Sequence, residues 1–242
     1  PVKLKVSDVP STGEPKFEAA KKIPGLKNTT VWFPHSILGI STSGILNYDE
    51  KGKMGPFEGQ LFVGDQGQSK IMRVDLEKVK GVYQGVVFPF REKFNSGVLR
   101  MNWGSDGSML VGSTARGWGS AGPDPFGLQR LEWNGKTPFE IKTVKAKPDG
   151  FELEFTQPVD EKRARDVNSY ELTRFTYMYS HHYGSPVINQ GNCPLRAIEV
   201  SPDRLKVRLV ADSIKEGYIH EIKAKGVRSA ENFSLLHDFG YY

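Results

Sequence analysis

The chain has 242 residues, enough to bury a sizeable core and to form two ordinary domains or one large all-β domain. Its 26 glycines and 15 prolines, with aromatics at 11%, favour many short strands and tight turns over long helices. The formal charge of +5 is spread along the sequence, and the densest basic run, residues 161–165, contains an acid; this argues against a dedicated nucleic-acid face and leaves weak attraction to acidic polysaccharides.

The single cysteine, Cys193, has no partner for an intrachain disulfide and says little about compartment. No apolar run reaches the length of a membrane span, and no signal peptide opens the sequence. The first residue is Pro1, as expected of a mature product or a piece of something longer.

Residues 1–30 read as an extended connector with one candidate strand at 2–6. Organised sequence begins at Val31-Trp-Phe-Pro-His35, followed by β-branched and small residues to Thr42 and a polar loop at 49–55. Strands are expected at 59–64, at 70–76, where side chains alternate in and out, and at 82–90. The strongest local signal is a hairpin: two apolar runs, 98–103 and 109–112, flank Ser105-Asp-Gly-Ser108, and both residues of an Asp-Gly turn tolerate positive φ. Its second strand empties into Thr114-Ala-Arg-Gly-Trp-Gly119, a glycine-rich loop that presents side chains rather than filling a core.

A repeat follows from these strands. Gln60-Leu-Phe-Val-Gly-Asp65 aligns with Ser108-Met-Leu-Val-Gly-Ser113, and Lys70-Ile-Met-Arg-Val74 aligns with Gly127-Leu-Gln-Arg-Leu131, with Val63 and Val111 offset by 48 residues. Four strands per unit near the ~40–50 residues of known propeller repeats indicate β-propeller blades over 31–136, with a plain antiparallel sandwich as the alternative. In a propeller, segments entering the innermost strands and loops after the second strands open on one face. That geometry gathers His35, Asp65, Gln66, Arg91, Arg100, Arg116 and Trp118 at one concave mouth.

Beyond Trp133-Asn-Gly-Lys-Thr-Pro138 the texture changes, and a domain boundary is expected near residue 137. Strands at 141–146, 150–156, 169–175, 196–200, 206–210 and 218–223, separated by turns such as Pro-Asp-Gly and Ser-Pro-Asp-Arg, suggest an immunoglobulin-like sandwich over 137–242. Residues 160–167 suggest a helical turn, and 176–194, with Tyr177, Tyr179, His181, His182 and Tyr183, an outlying loop.

The stretches Trp32-Phe-Pro-His-Ser-Ile-Leu-Gly-Ile-Ser41, Gly64-Asp-Gln66, Phe88-Pro-Phe-Arg-Glu92, Asn102-Trp-Gly-Ser-Asp-Gly-Ser108 and Arg116-Gly-Trp-Gly-Ser120 resemble the later blades of glucose/sorbosone dehydrogenase-like propellers from exported bacterial multidomain proteins. Lys147-Pro-Asp-Gly-Phe-Glu-Leu-Glu-Phe-Thr-Gln-Pro-Val-Asp160, Asn168-Ser-Tyr-Glu-Leu172, Tyr183-Gly-Ser-Pro186 and Gly226-Val-Arg-Ser229 resemble the Ig-like module that follows such a propeller. The resemblance implies a periplasmic or secreted protein that oxidises a sugar or alcohol with pyrroloquinoline quinone (PQQ), often with calcium, by base-assisted hydride transfer to the quinone. It also implies that blades completing the ring, and a cytochrome c domain or companion chain, lie outside these residues, since six blades need about twice the propeller sequence present.

Each candidate carries two readings. Arg100 and Arg116 suit cofactor or substrate carboxylates because the guanidinium fork matches a carboxylate with two parallel bonds, and surface or inter-blade ion pairing explains them equally well; Arg91 and Gln66, at the same mouth, are further candidates to bind cofactor or substrate. Trp118, between glycines, suits stacking on a sugar ring, whereas Trp103 lies within a strand and belongs to a core. His35 is a candidate general base or a satisfied structural histidine. Asp65 and Gln66 are candidate oxygen donors to calcium, or turn residues. His181 and His182 are adjacent, so on a strand they point to opposite faces and make a poor chelate. The rival functions are a non-catalytic carbohydrate-binding or scaffold module of a polysaccharide-degrading system, and a carbohydrate lyase or dehydratase in which arginine neutralises a uronate.

Overall fold

A computed structural model describes residues 13–49, 53–180 and 183–242. The candidate strand at 2–6 and the pair His181 and His182 lie outside the described residues. The protein is all-β, with 46% strand and 6% helix, in antiparallel sheets none of which closes on itself.

After a short helix α1 (Lys16–Lys22), strands β1 (Thr42–Asn47), β2 (Leu61–Asp65), β3 (Lys70–Val79) and β4 (Val82–Arg91) form a meander. A second meander contains β5 (Val98–Trp103), β6 (Met109–Thr114) and β7 (Phe126–Leu131). Then come β8 (Ile141–Lys147), β9 (Gly150–Phe155), a turn of helix α2 (Glu161–Ala164), β10 (Glu171–Tyr177), β11 (Val187–Asn192), β12 (Leu195–Val200), β13 (Lys206–Ala211), β14 (Ile219–Lys223) and β15 (Phe239–Tyr241). They assemble into an eight-stranded sheet, β1-β2-β3-β4-β15-β14-β10-β11, a four-stranded sheet, β12-β13-β9-β8, and the three-stranded sheet β5-β6-β7.

The Asp-Gly hairpin forms as its chemistry demands. Gly107 adopts φ +83°, and Asp106 Oδ1 accepts hydrogen bonds from the Ser108 amide at 3.0 Å and its hydroxyl at 2.7 Å. A second hairpin, β3–β4, is longer than its apolar runs suggest. Lys80 and Gly81 both take positive φ (48° and 86°) between the paired residues Val79 and Val82, a two-residue turn whose twist matches that of the strands.

Three packed clusters hold the layers. Phe62, Ile71 and Phe90 of the first meander meet Val98, Met101, Met109 and Val111 of the second. On the other face Val63, Met72, Val74 and Val87 meet Phe175, Tyr177, Ile219 and Tyr241. The third cluster fills the space between β8–β9–β13 and β10–β14, with Phe151, Leu153, Phe155, Leu172, Val207, Leu209 and Ile222.

Packing does not stop at the expected boundary near 137. Val86 and Phe88 of β4 belong to the third cluster, and β15 pairs with β4 at Tyr241 and Val87. Arg73 of β3, fully buried, donates to the carbonyls of Ile141 (2.7 Å) and Lys142 (2.8 Å) and to Gln60 Oε1 (2.6 Å), with its guanidinium between the Phe57 and Phe88 rings. Residue 137 therefore marks a change of sheet with no gap in the core. The loop expected over 176–194 contains β11, an irregular edge strand paired with β10, and α1 forms inside the expected connector, with Glu18 in its first turn and Lys21 and Lys22 in its last.

The outer face of β5-β6-β7 stays uncovered among the described residues. Arg100, Gly112 and Leu128 lie in register across it, Leu128 is 76% and Phe126 73% exposed, and among the described residues β7 has no strand on its free edge.

Candidate functional site

The chain approaching β1, the turn after β2, the start of β5 and the loop after β6 meet at one corner. Asp65, fully buried, organises it: Oδ2 accepts from the amides of Ile40 and Ser41 at 2.9 Å each, and Oδ1 from the amide of Gln68 at 2.7 Å. Gln66 donates through Nε2 to the carbonyls of Thr114 (3.0 Å) and Trp118 (3.4 Å), fastening the glycine-rich loop. The Ser69 hydroxyl accepts from the Gly122 amide at 2.9 Å and the Gly67 carbonyl from the Ala121 amide at 2.9 Å. Gly97 has no room for a side chain here, because a Cβ would fall 2.2 Å from the Gln66 carbonyl.

On this framework the loop displays Arg116 and Trp118. Trp118 is 78% exposed, Gly117 beside it takes φ +87°, and Arg116 has no carboxylate within ion-pairing distance among the described residues. His35 stands nearby along the chain leading to β1. Its amide donates to the Tyr177 hydroxyl at 3.0 Å, and its ring meets the edge of Tyr183 at 5.1 Å with Gly184 against Nε2. Tyr183 in turn donates to the Ile40 carbonyl. Burial raises the Tyr177 phenol above its ordinary pKa, against the His35 amide bond.

Two of the seven candidates point elsewhere. Arg100 lies on the outer face of the three-stranded sheet, its guanidinium donating to the neighbouring Leu99 carbonyl at 3.0 Å. Arg91 turns into a separate cleft of about 370 Å³ between the two halves, lined by Phe57, Phe90, Trp133, Lys136 and Leu236. Burial lowers the Arg91 pKa, with Glu140 opposing.

Calcium and PQQ, which the family resemblance implies, are testable against these donors. Three amide N–H groups already occupy both oxygens of Asp65 and direct their positive ends at it, so its donor set does not fit a cation. Arg91, Arg100 and Arg116 occupy a cleft, an outer sheet face and a loop, so they do not converge as a clamp for one tricarboxylate. No group of three His, Cys, Asp or Glu side chains among the described residues is arranged to hold a metal ion.

A charged seam between the halves lies outside the residues predicted from sequence. Besides Arg73 it contains Lys145 bonded to Asp75 at 2.7 Å and buried Glu140 bonded to His237 Nδ1 at 2.7 Å. Burial pushes the Arg73 pKa down to about 10, opposed by Glu140 and Asp75. The half-buried alternation expected over 70–76 does not hold, because β3 is buried on both faces from Lys70 to Asp75; the face of β3 that holds Ile71 carries Arg73 and Asp75 into the seam.

No family model matches the chain, and no curated protein or solved structure matches it significantly. Among the described residues no helix is long and apolar enough to cross a membrane.

Proposed function

We propose that these residues form the carbohydrate-binding and scaffolding part of an exported, periplasmic or secreted, bacterial protein that acts on sugars. The observation that carries the reading is the loop at Arg116 and Trp118. A bare indole between glycines and an unpaired guanidinium stand together on a loop whose base is fastened by Gln66. Such a ring stacks on the C–H face of a sugar while the cation bonds its hydroxyl or carboxylate oxygens. Loss of Trp118 is expected to weaken saccharide binding by about two- to tenfold, at roughly the 0.5–1.5 kcal/mol of one aromatic contact. Calorimetric titration of neutral oligosaccharides, which the Arg91 cleft does not select, into the protein and Trp118→Ala tests it; affinity unchanged by the substitution overturns it.

The sequence resemblance to glucose/sorbosone dehydrogenase-like propellers supports a wider reading. In it the two meanders are blades, the C-terminal sheets an Ig-like sandwich, and residues elsewhere in a longer chain or a companion chain build the quinone centre of a sugar dehydrogenase. The 48-residue offset between Val63 and Val111, which both sit in the second strand of a meander, favours that reading. Dye-linked aldose oxidation by the longer protein supplied with PQQ and calcium is the expected result. A longer protein that binds no quinone removes the redox part and leaves the saccharide site.

A further inference from the structure

The cleft between the halves differs from the corner in how its charges are used. Its floor and walls are apolar: Phe57 and Phe90 are buried, with rings edge-to-face at 6.1 Å, and Leu236 closes one side. Trp133 is fixed at the rim, because its Nε1–H donates to the Lys136 carbonyl at 3.1 Å. The Arg91 guanidinium lies over the Phe90 ring at 4.5 Å and donates to the Phe90 carbonyl at 2.5 Å, which sets its plane and leaves the rest of its fork unbonded.

The nearby carboxylates are already engaged. Glu132 pairs with Arg130, and Glu140 pairs with His237. Neither Arg91 nor Lys136 has a carboxylate within 4 Å among the described residues; the one acid lining the cleft, Glu132, is tied to Arg130, and Glu140 acts on Arg91 from beyond ion-pairing distance. A cleft of about 370 Å³ is the size of small-molecule sites in general, and here it combines flat apolar walls with two cations. Flat walls select a ring, and a half-buried guanidinium with free N–H groups selects a carboxylate that binds it through two parallel bonds.

We propose that the cleft formed by Phe57, Phe90, Arg91, Trp133 and Lys136 is a second binding site, distinct from the Trp118 loop, that takes a uronic acid unit of an acidic saccharide. The carboxylate lies on Arg91 with Lys136 as second cation, and the sugar ring lies against Trp133. The carboxylate and the ring follow from the cleft itself, whereas the choice of a saccharide rests on the carbohydrate reading above.

The test is calorimetric titration of digalacturonic acid, with the neutral disaccharide cellobiose as comparison, into the protein and into Arg91→Gln, Trp133→Ala and Trp118→Ala. Digalacturonic acid is expected to bind, with affinity reduced about ten- to a hundredfold by Arg91→Gln, the range of a lost hydrogen-bonded charge partner. Trp133→Ala is expected to weaken it about tenfold, and Trp118→Ala to leave this site unchanged. Lys136→Met, at an exposed position, reads the same charge with a smaller loss should Arg91→Gln fail to fold. Failure of the acid to bind, equal binding of cellobiose at this cleft, or binding indifferent to both Arg91→Gln and Lys136→Met overturns the proposal. Saccharide binding abolished by Trp118→Ala alone would remove this second site and leave the function proposed for the loop standing.

Discussion

The corner at Asp65 and the cleft at Arg91 hold similar numbers of polar groups and use them in opposite ways. At the corner, the carboxylate of Asp65 and the amide of Gln66 are consumed by backbone N–H and C=O groups, so they determine the shape of the loops. In the cleft, Arg91 and Lys136 make no ion pair within 4 Å among the described residues, so their N–H groups are available to a ligand. Titratable residue types mark both places equally. What separates them is the count of bonds already made.

The contrast predicts stability losses where groups are consumed and binding losses where they are free. The largest stability effect belongs to Arg73, whose removal takes a donor from the Ile141 carbonyl and from Gln60 Oε1, leaves the Lys142 carbonyl to Gln60 Nε2 alone, and deprives the nearby carboxylates Glu140 and Asp75 of its charge in the core. Arg73→Ala is expected to cost about 3–5 kcal/mol in urea unfolding, as for other buried charge networks that lose one member. A loss below about 1 kcal/mol would show that the seam is not shared between the halves.

His220 comes next. Desolvation first, then the Arg174 charge, hold its pKa down to about 4 from 6.5, with the imidazole packed on Phe151 at 5.3 Å. Between those values the unfolded chain binds a proton that the native chain does not. The contribution is therefore complete above about pH 6.5 and declines as the pH falls to about 4, by roughly 3 kcal/mol over the window. Denaturant titrations at pH 7 and pH 4.5 measure it, and His220→Gln is expected to flatten that part of the profile. Asp65→Ala gives the smallest of the three losses, about 2 kcal/mol, because amides near the exposed Ile40 regain water. Binding of an acidic disaccharide in the cleft is expected to survive that change; parallel loss would merge the two regions into one site.

Much of the strand order was legible. Apolar runs and turn chemistry mark β2, β3, β5 and β6, and the Asp-Gly hairpin forms with Asp106 bonding its own turn. β11, with the sequence Val187-Ile-Asn-Gln-Gly-Asn192, carries little intrinsic preference for a strand and owes its form to pairing with β10. β15 is three residues long and has no periodicity to detect. The site is harder to read. The gathering of Asp65, Gln66 and Trp118 follows from strand ends, which topology dictates, and all three do meet at the corner. The union of Arg91 with Trp133 arises where sheets pack, and neither residue announces the other in sequence.

The eight-stranded sheet has one further consequence, in time. β15 sits between β4 and β14, so the β1–β4 meander joins the C-terminal strands only when residues near 240 reach β4, which ends at Arg91. Hairpins such as β3–β4 and β5–β6 close short loops and form within microseconds, whereas this pairing must close most of the intervening chain before any contact repays the entropy. Folding should therefore proceed through early hairpins with a late, slow seam. Until Tyr241 docks beside Val87, the edge of β4 stands open to strands from other molecules.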